Sequence, residues 1–179
     1  AVLKRMRRPE RNASIREKVA HIREVVPDVA IRTTCIVGFP GETDDDFQTL
    51  LDLLEEVQID RVGAFTYSAQ EGTAANNMAD DVPDAVKQER LERLNELQNA
   101  ITAERLESRV DRTVRAIVDR KLQDGSFEGR TIWQAHEIDG VAVIGTWDSA
   151  LGTRRPLAPG DFVDVTVESV IDDFDLNVS

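Results

Sequence analysis

The stretch Arg32-Thr33-Thr34-Cys35-Ile36-Val37-Gly38-Phe39-Pro40-Gly41-Glu42-Thr43 gathers the residues best suited to meet a ligand. A β-branched run that ends in Gly-Phe-Pro-Gly and leads into a helix start brings backbone amides and carbonyls to the carboxyl edge of a sheet. Glycine allows another group to come close to that backbone. The same pattern also suits a tight strand-to-helix turn that binds nothing, so the motif alone leaves both readings open. Phe65 and Tyr67 lie two apart on a second β-rich run, so their side chains share one face, turned either toward a ligand or toward packing helices. Lys4 and Arg8 belong to a basic stretch, either solvated or able to receive a carboxylate, which guanidinium groups bind through paired hydrogen bonds. Glu71 follows in the loop after the second run. The single cysteine, Cys35, sits mid-strand and reads as a small buried apolar residue. His21 and His136 have no neighbours spaced as metal ligands, so no metal site and no catalytic residue is assigned.

These residues require elements that hold them in place. A helix is expected over Pro9 to Val26, with Ile15, Val19, Ile22 and Val26 on one face and Pro27 ending it. Val29 to Val37 and Arg61 to Tyr67 read as strands of the buried, parallel kind. Between them Thr43 is a good N-cap, Asp44, Asp45 and Asp46 suit the positive end of a helix, and Leu50, Leu51, Leu54 and Val57 continue it. Strand, helix, strand is the order of an α/β fold. A long charged helix follows from Pro83 to about Ser108, striped by Val86, Leu91, Leu94, Leu97 and Ile101. Helical periodicity then stops. Val110 to Asp119, Val141 to Trp147 and Phe162 to Val170 alternate, with turns at Asp124-Gly125, Asp139-Gly140 and Pro159-Gly160. About five strands in a small antiparallel barrel or sandwich are expected there, with a domain boundary between residues 108 and 109.

Composition narrows the function classes. Hydrophobic residues make up 41% of the 179 and charged residues 31%, as in a globular protein with a core of its own. No apolar run approaches the roughly 18 to 20 residues that cross a bilayer, no secretory signal is visible, and one cysteine suits a reducing cytoplasm. The chain opens inside a basic stretch with no Met, as a piece of a longer protein would. The net charge of −12 divides as −7 up to residue 108 and −5 after it, so neither part offers phosphates the positive surface on which RNA affinity rests. Asp161, Asp164, Glu168, Asp172, Asp173 and Asp175 fall in a final stretch without Lys or Arg, either a solvated edge or a surface for a basic protein.

Four segments, in order, resemble the radical-SAM methylthiotransferases: Val2-Leu3-Lys4-Arg5-Met6-Arg7-Arg8, the Arg32 to Thr43 motif, Phe65-Thr66-Tyr67-Ser68-Ala69-Gln70-Glu71-Gly72-Thr73, and the terminal β region, which resembles a TRAM domain. The resemblance covers nearly the whole chain. It implies a partial TIM-like barrel, about strands four to six with their helices over residues 1–108, and a small OB-like TRAM barrel over 109–179. It implies S-adenosylmethionine as cofactor, with Gly38, Phe39, Pro40, Gly41, Phe65 and Tyr67 around the adenosyl group. Lys4 and Arg8 would meet the methionine carboxylate or a substrate aspartate, and Glu71 would lie near the barrel mouth on the substrate side. The family's catalytic [4Fe-4S] cluster needs three cysteines in a CxxxCxxC motif that this chain lacks, and a second cluster belongs to another domain. The chain alone is therefore expected to be inactive.

Members of the family that modify a tRNA adenosine tend to read YSxRPGT at the sixth strand and to carry a more basic TRAM domain. This chain reads Tyr67-Ser68-Ala69-Gln70-Glu71-Gly72-Thr73 and is acidic. It looks more like the branch that methylthiolates the β-carbon of an aspartate in a small-subunit ribosomal protein, a basic partner that the acidic β region would suit. The alternatives are the tRNA branch and a non-enzymatic acidic interaction module. An unpaired edge of the incomplete barrel would also invite self-association.

Overall fold

The computed structural model describes residues 1–79, 81–136, 138–145, 157–172 and 174–179. The chain forms two compact units, Ala1–Ile101 and Thr102–Ser179.

In the first unit, a short helix α1 (Val2–Arg5) precedes α2 (Asn12–Val25). Helix α2 begins three residues later than Pro9. There the Arg11 N–H donates to Ser14 Oγ at 2.9 Å and the Ser14 hydroxyl donates to the Arg11 carbonyl at 2.9 Å, which fixes the first turn beyond the proline. Strand β1 (Arg32–Val37) leads through the Gly38–Gly41 bend into α3 (Asp44–Val57), which crosses over to β2 (Arg61–Thr66). Thr43 caps α3 as its sequence indicates: its Oγ1 accepts the Asp46 N–H at 3.1 Å while Asp46 accepts the Thr43 N–H. At the other end Gln58 takes a left-handed conformation, and Arg23 of α2 donates to the carbonyls of Val57 and Gln58. Strands β1 and β2 pair in parallel, with Cys35 opposite Ala64 and Ile36 opposite Phe65.

One face of this sheet carries the core. Val37 packs with Val19 of α2, with Phe47, Leu51, Leu54 and Val57 of α3, and with Leu94 and Ile101 of α4 (Asp84–Glu107). Burying each such side chain removes apolar surface worth about 1.5 to 3 kcal/mol from water. The other face of the sheet stays open, with Phe65 60% and Ile36 43% exposed. The β-branched runs predicted strands buried on both faces. They alternate instead, because helices cover one side only among the described residues. The stripe of α2 is likewise half used: Val19 is buried, while Ile22 and Val26 are exposed.

The second unit is a closed barrel of five strands, β3 (Thr113–Lys121), β4 (Phe127–Thr131), β5 (Ala142–Ile144), β6 (Phe162–Ile171) and β7 (Asp175–Val178), in the order β3-β4-β5-β7-β6. Alternation places Val114, Ala116 and Val118 of β3 inside with Val163, Val165 and Val167 of β6, and Ile144, Leu176 and Val178 complete the interior. The barrel is not wholly antiparallel. Strand β7 pairs antiparallel with β6 and parallel with β5, and that parallel pairing joins the last strand to the middle of the sheet and removes its free edge. The expected Val141 to Trp147 strand is confined to Ala142–Ile144, and Trp147 lies outside the described residues. Trp133, 3% exposed, sits with the Arg109 guanidinium 4.7 Å and that of Arg112 5.6 Å from its ring centroid.

Candidate functional site

The open face of the β1–β2 sheet continues at its carboxyl end into a groove of about 380 Å³. Thr34 and Ile36 of β1, Phe65 and Thr66 of β2, and Phe39 and Tyr67 just beyond the strands line it, with Ser68, Gln70, Thr73 and Ala75 on the far side. The size and the mostly apolar lining with a few hydroxyl and amide groups are those of a small-molecule site. Phe39 and Tyr67 meet edge to face, their centroids 5.2 Å apart and their planes at 70°. Tyr67 is fixed at its other end by its hydroxyl, which donates to the Ala75 carbonyl at 3.1 Å.

The bend that delivers Phe39 is held tightly from behind. Gly38 and Gly41 have φ of 71° and 73°, the left-handed region that favours glycine. Glu42, buried, accepts the Gly38 N–H on Oε1 at 2.8 Å, and Arg90 Nη1 donates to the same oxygen at 2.8 Å. The second nitrogen of Arg90, Nη2, donates to Asp44 at 2.6 Å. The Glu42 N–H returns to the Phe39 carbonyl at 2.8 Å, and the Gly41 N–H donates to Asp81 at 2.6 Å. The amides of Gly38, Gly41 and Glu42 are thus consumed inside the protein. The expectation that the bend turns exposed amides toward a ligand is corrected at these positions, because two carboxylates and the Phe39 carbonyl already occupy them.

Of the residues singled out in the sequence, Phe39, Phe65 and Tyr67 come together on the groove. Phe65 and Tyr67 do share a face, and it is the open one. Gly38, Pro40 and Gly41 form the bend beside the groove but lie under other side chains: a Cβ on Gly38 would run into the stem of Lys87, and one on Gly41 would meet the Arg5 guanidinium at 3.2 Å. Lys4, Arg8 and Glu71 are exposed and do not line the groove. Arg5, between the two chosen cations, engages the bend instead, donating from Nη2 to the Gly41 carbonyl and lying 3.6 Å from Asp46. Cys35 points toward the core, where burial pushes its thiol up to about 11, so it stays protonated and unreactive at neutral pH.

Sequence reasoning missed Lys87 and Arg90, both buried polar residues of α4. Counting only apolar positions hid them. Lys87, Arg90, Leu94, Gln98 and Ile101 recur at the spacing of one helical face, and all five are buried. Lys87 places its ammonium 5.7 Å from the Tyr67 ring centroid, and Gln98 donates to the Ile59 carbonyl at 2.9 Å.

No protein-family model matches the chain. Among curated proteins it is 44% identical, over 175 residues, to the ribosomal protein uS12 methylthiotransferase RimO of Hydrogenovibrio crunogenus, and 44% identical over 176 residues to that of Hahella chejuensis. Against RimO of Klebsiella pneumoniae the identity is 45% over 175 residues. The chain matches one segment of the RimO methylthiotransferases. The alignments take in 98% of this chain but only 37% to 38% of each of these relatives, so it spans a little over a third of their length. The RimO match extends across both units, so the groove and the barrel belong to one continuous homologous segment.

The two parts of the family's cofactor set fare differently against these residues. An aromatic, partly polar groove of this size fits the adenosyl group of S-adenosylmethionine. An iron–sulfur cluster does not fit: the chain has one cysteine, its thiol held protonated, and among the described residues no cluster of His, Cys, Asp and Glu could hold a metal. Among the described residues no helix is long and apolar enough to cross a membrane.

Proposed function

We propose that this chain supplies the adenosyl-side rim and the terminal β-barrel of a radical-SAM methylthiotransferase that modifies the β-carbon of an aspartate in ribosomal protein uS12, in the cytoplasm. One observation carries the reading: Phe39, Phe65 and Tyr67, assigned to the cofactor on sequence grounds, converge on one groove at the carboxyl end of two parallel strands. The similarity to RimO over nearly the whole chain supports the same choice over the tRNA branch.

On this reading β1, α3 and β2 are part of a TIM-like radical-SAM barrel within residues 1–108, and residues 109–179 are a TRAM domain. In the family, S-adenosylmethionine together with a [4Fe-4S] cluster supplies the radical chemistry, and the cluster's cysteines are absent from this chain. The residues here bind and orient. Phe65 and Tyr67 flank the adenosyl group, Phe39 closes one side, and Gly38, Pro40 and Gly41, outside the groove's lining, form the bend that carries Phe39 there. Lys4 and Arg8 attract carboxylates, and Glu71 stands on the substrate side.

The barrel is the proposed dock for the basic ribosomal protein. Its acidic residues are partly spoken for: Asp164 lies 3.3 Å from Arg115, Asp161 accepts the Ala158 N–H, Asp175 accepts the Val141 N–H, and Asp173 lies outside the described residues. The net charge of −12 still favours a basic protein over RNA.

Equilibrium dialysis with labelled S-adenosylmethionine tests the groove. Saturable binding is expected, weakened about tenfold by Phe65→Ala through the lost ring contact. No saturable binding up to millimolar ligand would refute the assignment. Incubated with iron, sulfide and reductant, the same chain should yield no deoxyadenosine.

A further inference from the structure

We infer that Arg90 is a positioning residue for the groove: through Glu42 it holds the left-handed Gly38 of the bend and thereby sets the Phe39 ring against Tyr67. Arg90 is 4% exposed and Glu42 8%, so their contact is shielded from water and stronger than a surface pair. The geometry is specific to a guanidinium. Nη1 reaches both Glu42 Oε1, at 2.8 Å, and the Glu42 carbonyl, at 3.3 Å, while Nη2 holds Asp44 at 2.6 Å in the first turn of α3. A lysine ammonium offers the charge but not the planar fork.

The same Glu42 oxygen takes the Gly38 N–H at 2.8 Å, and the Glu42 N–H ties back to the Phe39 carbonyl at 2.8 Å. Phe39 therefore stands between two peptide groups that bond to Glu42, the residue the guanidinium holds. Nothing links Arg90 to the groove directly, since it lines none of it. Its influence passes through the bend. The ligand-affinity part of the test below rests on the adenosyl reading, whereas the geometric part does not.

Tyr67 is the chain's single tyrosine, so fluorotyrosine labelling gives one ¹⁹F resonance that reports on the Phe39–Tyr67 contact. Arg90→Lys is compared with Arg93→Lys, a neighbour on α4 whose guanidinium lies over Phe47 and makes no bond to the bend. In folded Arg90→Lys the ¹⁹F signal should shift or split, and the Gly38 amide should exchange at least about tenfold faster, while the amides of the barrel strands keep their rates. Arg93→Lys should change neither. S-adenosylmethionine affinity should fall about tenfold in Arg90→Lys alone.

An unchanged Tyr67 resonance and unchanged Gly38 exchange in folded Arg90→Lys would overturn the inference. If that variant does not fold, Glu42→Gln decides by the same two signals. It keeps the shape but weakens the charge-assisted bond, so the Gly38 amide should exchange several-fold faster, and no change would sink the idea. Should the unaltered chain bind no S-adenosylmethionine, the adenosyl reading falls, and the resonance and exchange still judge Arg90.

Discussion

The two units deal with sheet edges in opposite ways. In the barrel every strand has a neighbour on each side, and alternation buries Val114, Ala116 and Val118 of β3 with Val163, Val165 and Val167 of β6, while Phe162 at the start of β6 stays 67% exposed. In the first unit the sheet has two strands, so among the described residues each has an outer edge without a strand beside it. Its open face also keeps Ile36 and Phe65 in water. A closed sheet is complete as it stands. A half-covered one holds apolar surface ready for something outside itself, and here that surface is the groove.

The largest effect should come from the barrel. Leu176 is fully buried, and Leu176→Ala should cost about 3 kcal/mol through lost transfer energy and the cavity left behind. Both tryptophans, Trp133 and Trp147, fall within the second unit, so urea unfolding followed by tryptophan fluorescence reads it. A loss below about 1 kcal/mol would mean that the barrel is less well closed than its pairing indicates.

Ile36→Ala on the open face should change stability by no more than about 0.5 kcal/mol, since the side chain already meets solvent. Circular dichroism during thermal unfolding of the first unit measures this. A cost near that of Leu176→Ala would break the contrast between the units, and dilution during size-exclusion chromatography would then show whether a second copy covers that face.

The smallest effect is electrostatic and appears in acid. Partial desolvation raises the Asp46 carboxyl, but bonds from the Thr43 N–H and hydroxyl and from the amino terminus outweigh it and leave it below its usual 3.8. In the barrel, Asp124 is held below the same value by the Ser126 hydroxyl and then the Ser126 N–H. Both folded-state values are depressed. Their contributions are therefore fully present above about 3.8 and disappear as pH falls through the lower folded values. Ser126→Ala should move Asp124 back toward 3.8 and leave Asp46 where it is, as carboxyl ¹³C shifts across a pH titration would record. A shift of both would tie the two units together electrostatically.

Local signals in this chain were readable where they are local in physics. Thr43 and the three aspartates after it announced the start of α3, the glycines marked the bend, and alternation from Val114 to Val118 and from Val163 to Val167 marked barrel strands. The Phe65 and Tyr67 pair was legible as a shared face by the period of two, but which way that face turns depends on where the helices lie. Burial on both sides of β1 and β2 was inferred from β-branched composition, which cannot count how many helices come to cover a sheet. The parallel β5–β7 pairing was equally out of reach, since it joins residues more than thirty apart through closure of the barrel.

By itself the sequence determined the main elements, the Thr43 cap, the place where helical period gives way to alternation, and the shared face of Phe65 and Tyr67, because each depends on residues a few positions apart. Only the tertiary structure decided that Arg5, Lys87 and Arg90 pack on the bend, and that the bend's own amides are already taken. The long-range pairings among them, Arg90 with Glu42 and Asp81 with Gly41, join groups forty-eight and forty residues apart, and in the buried one an unsatisfied charge would cost kilocalories, so a partner must be brought to it.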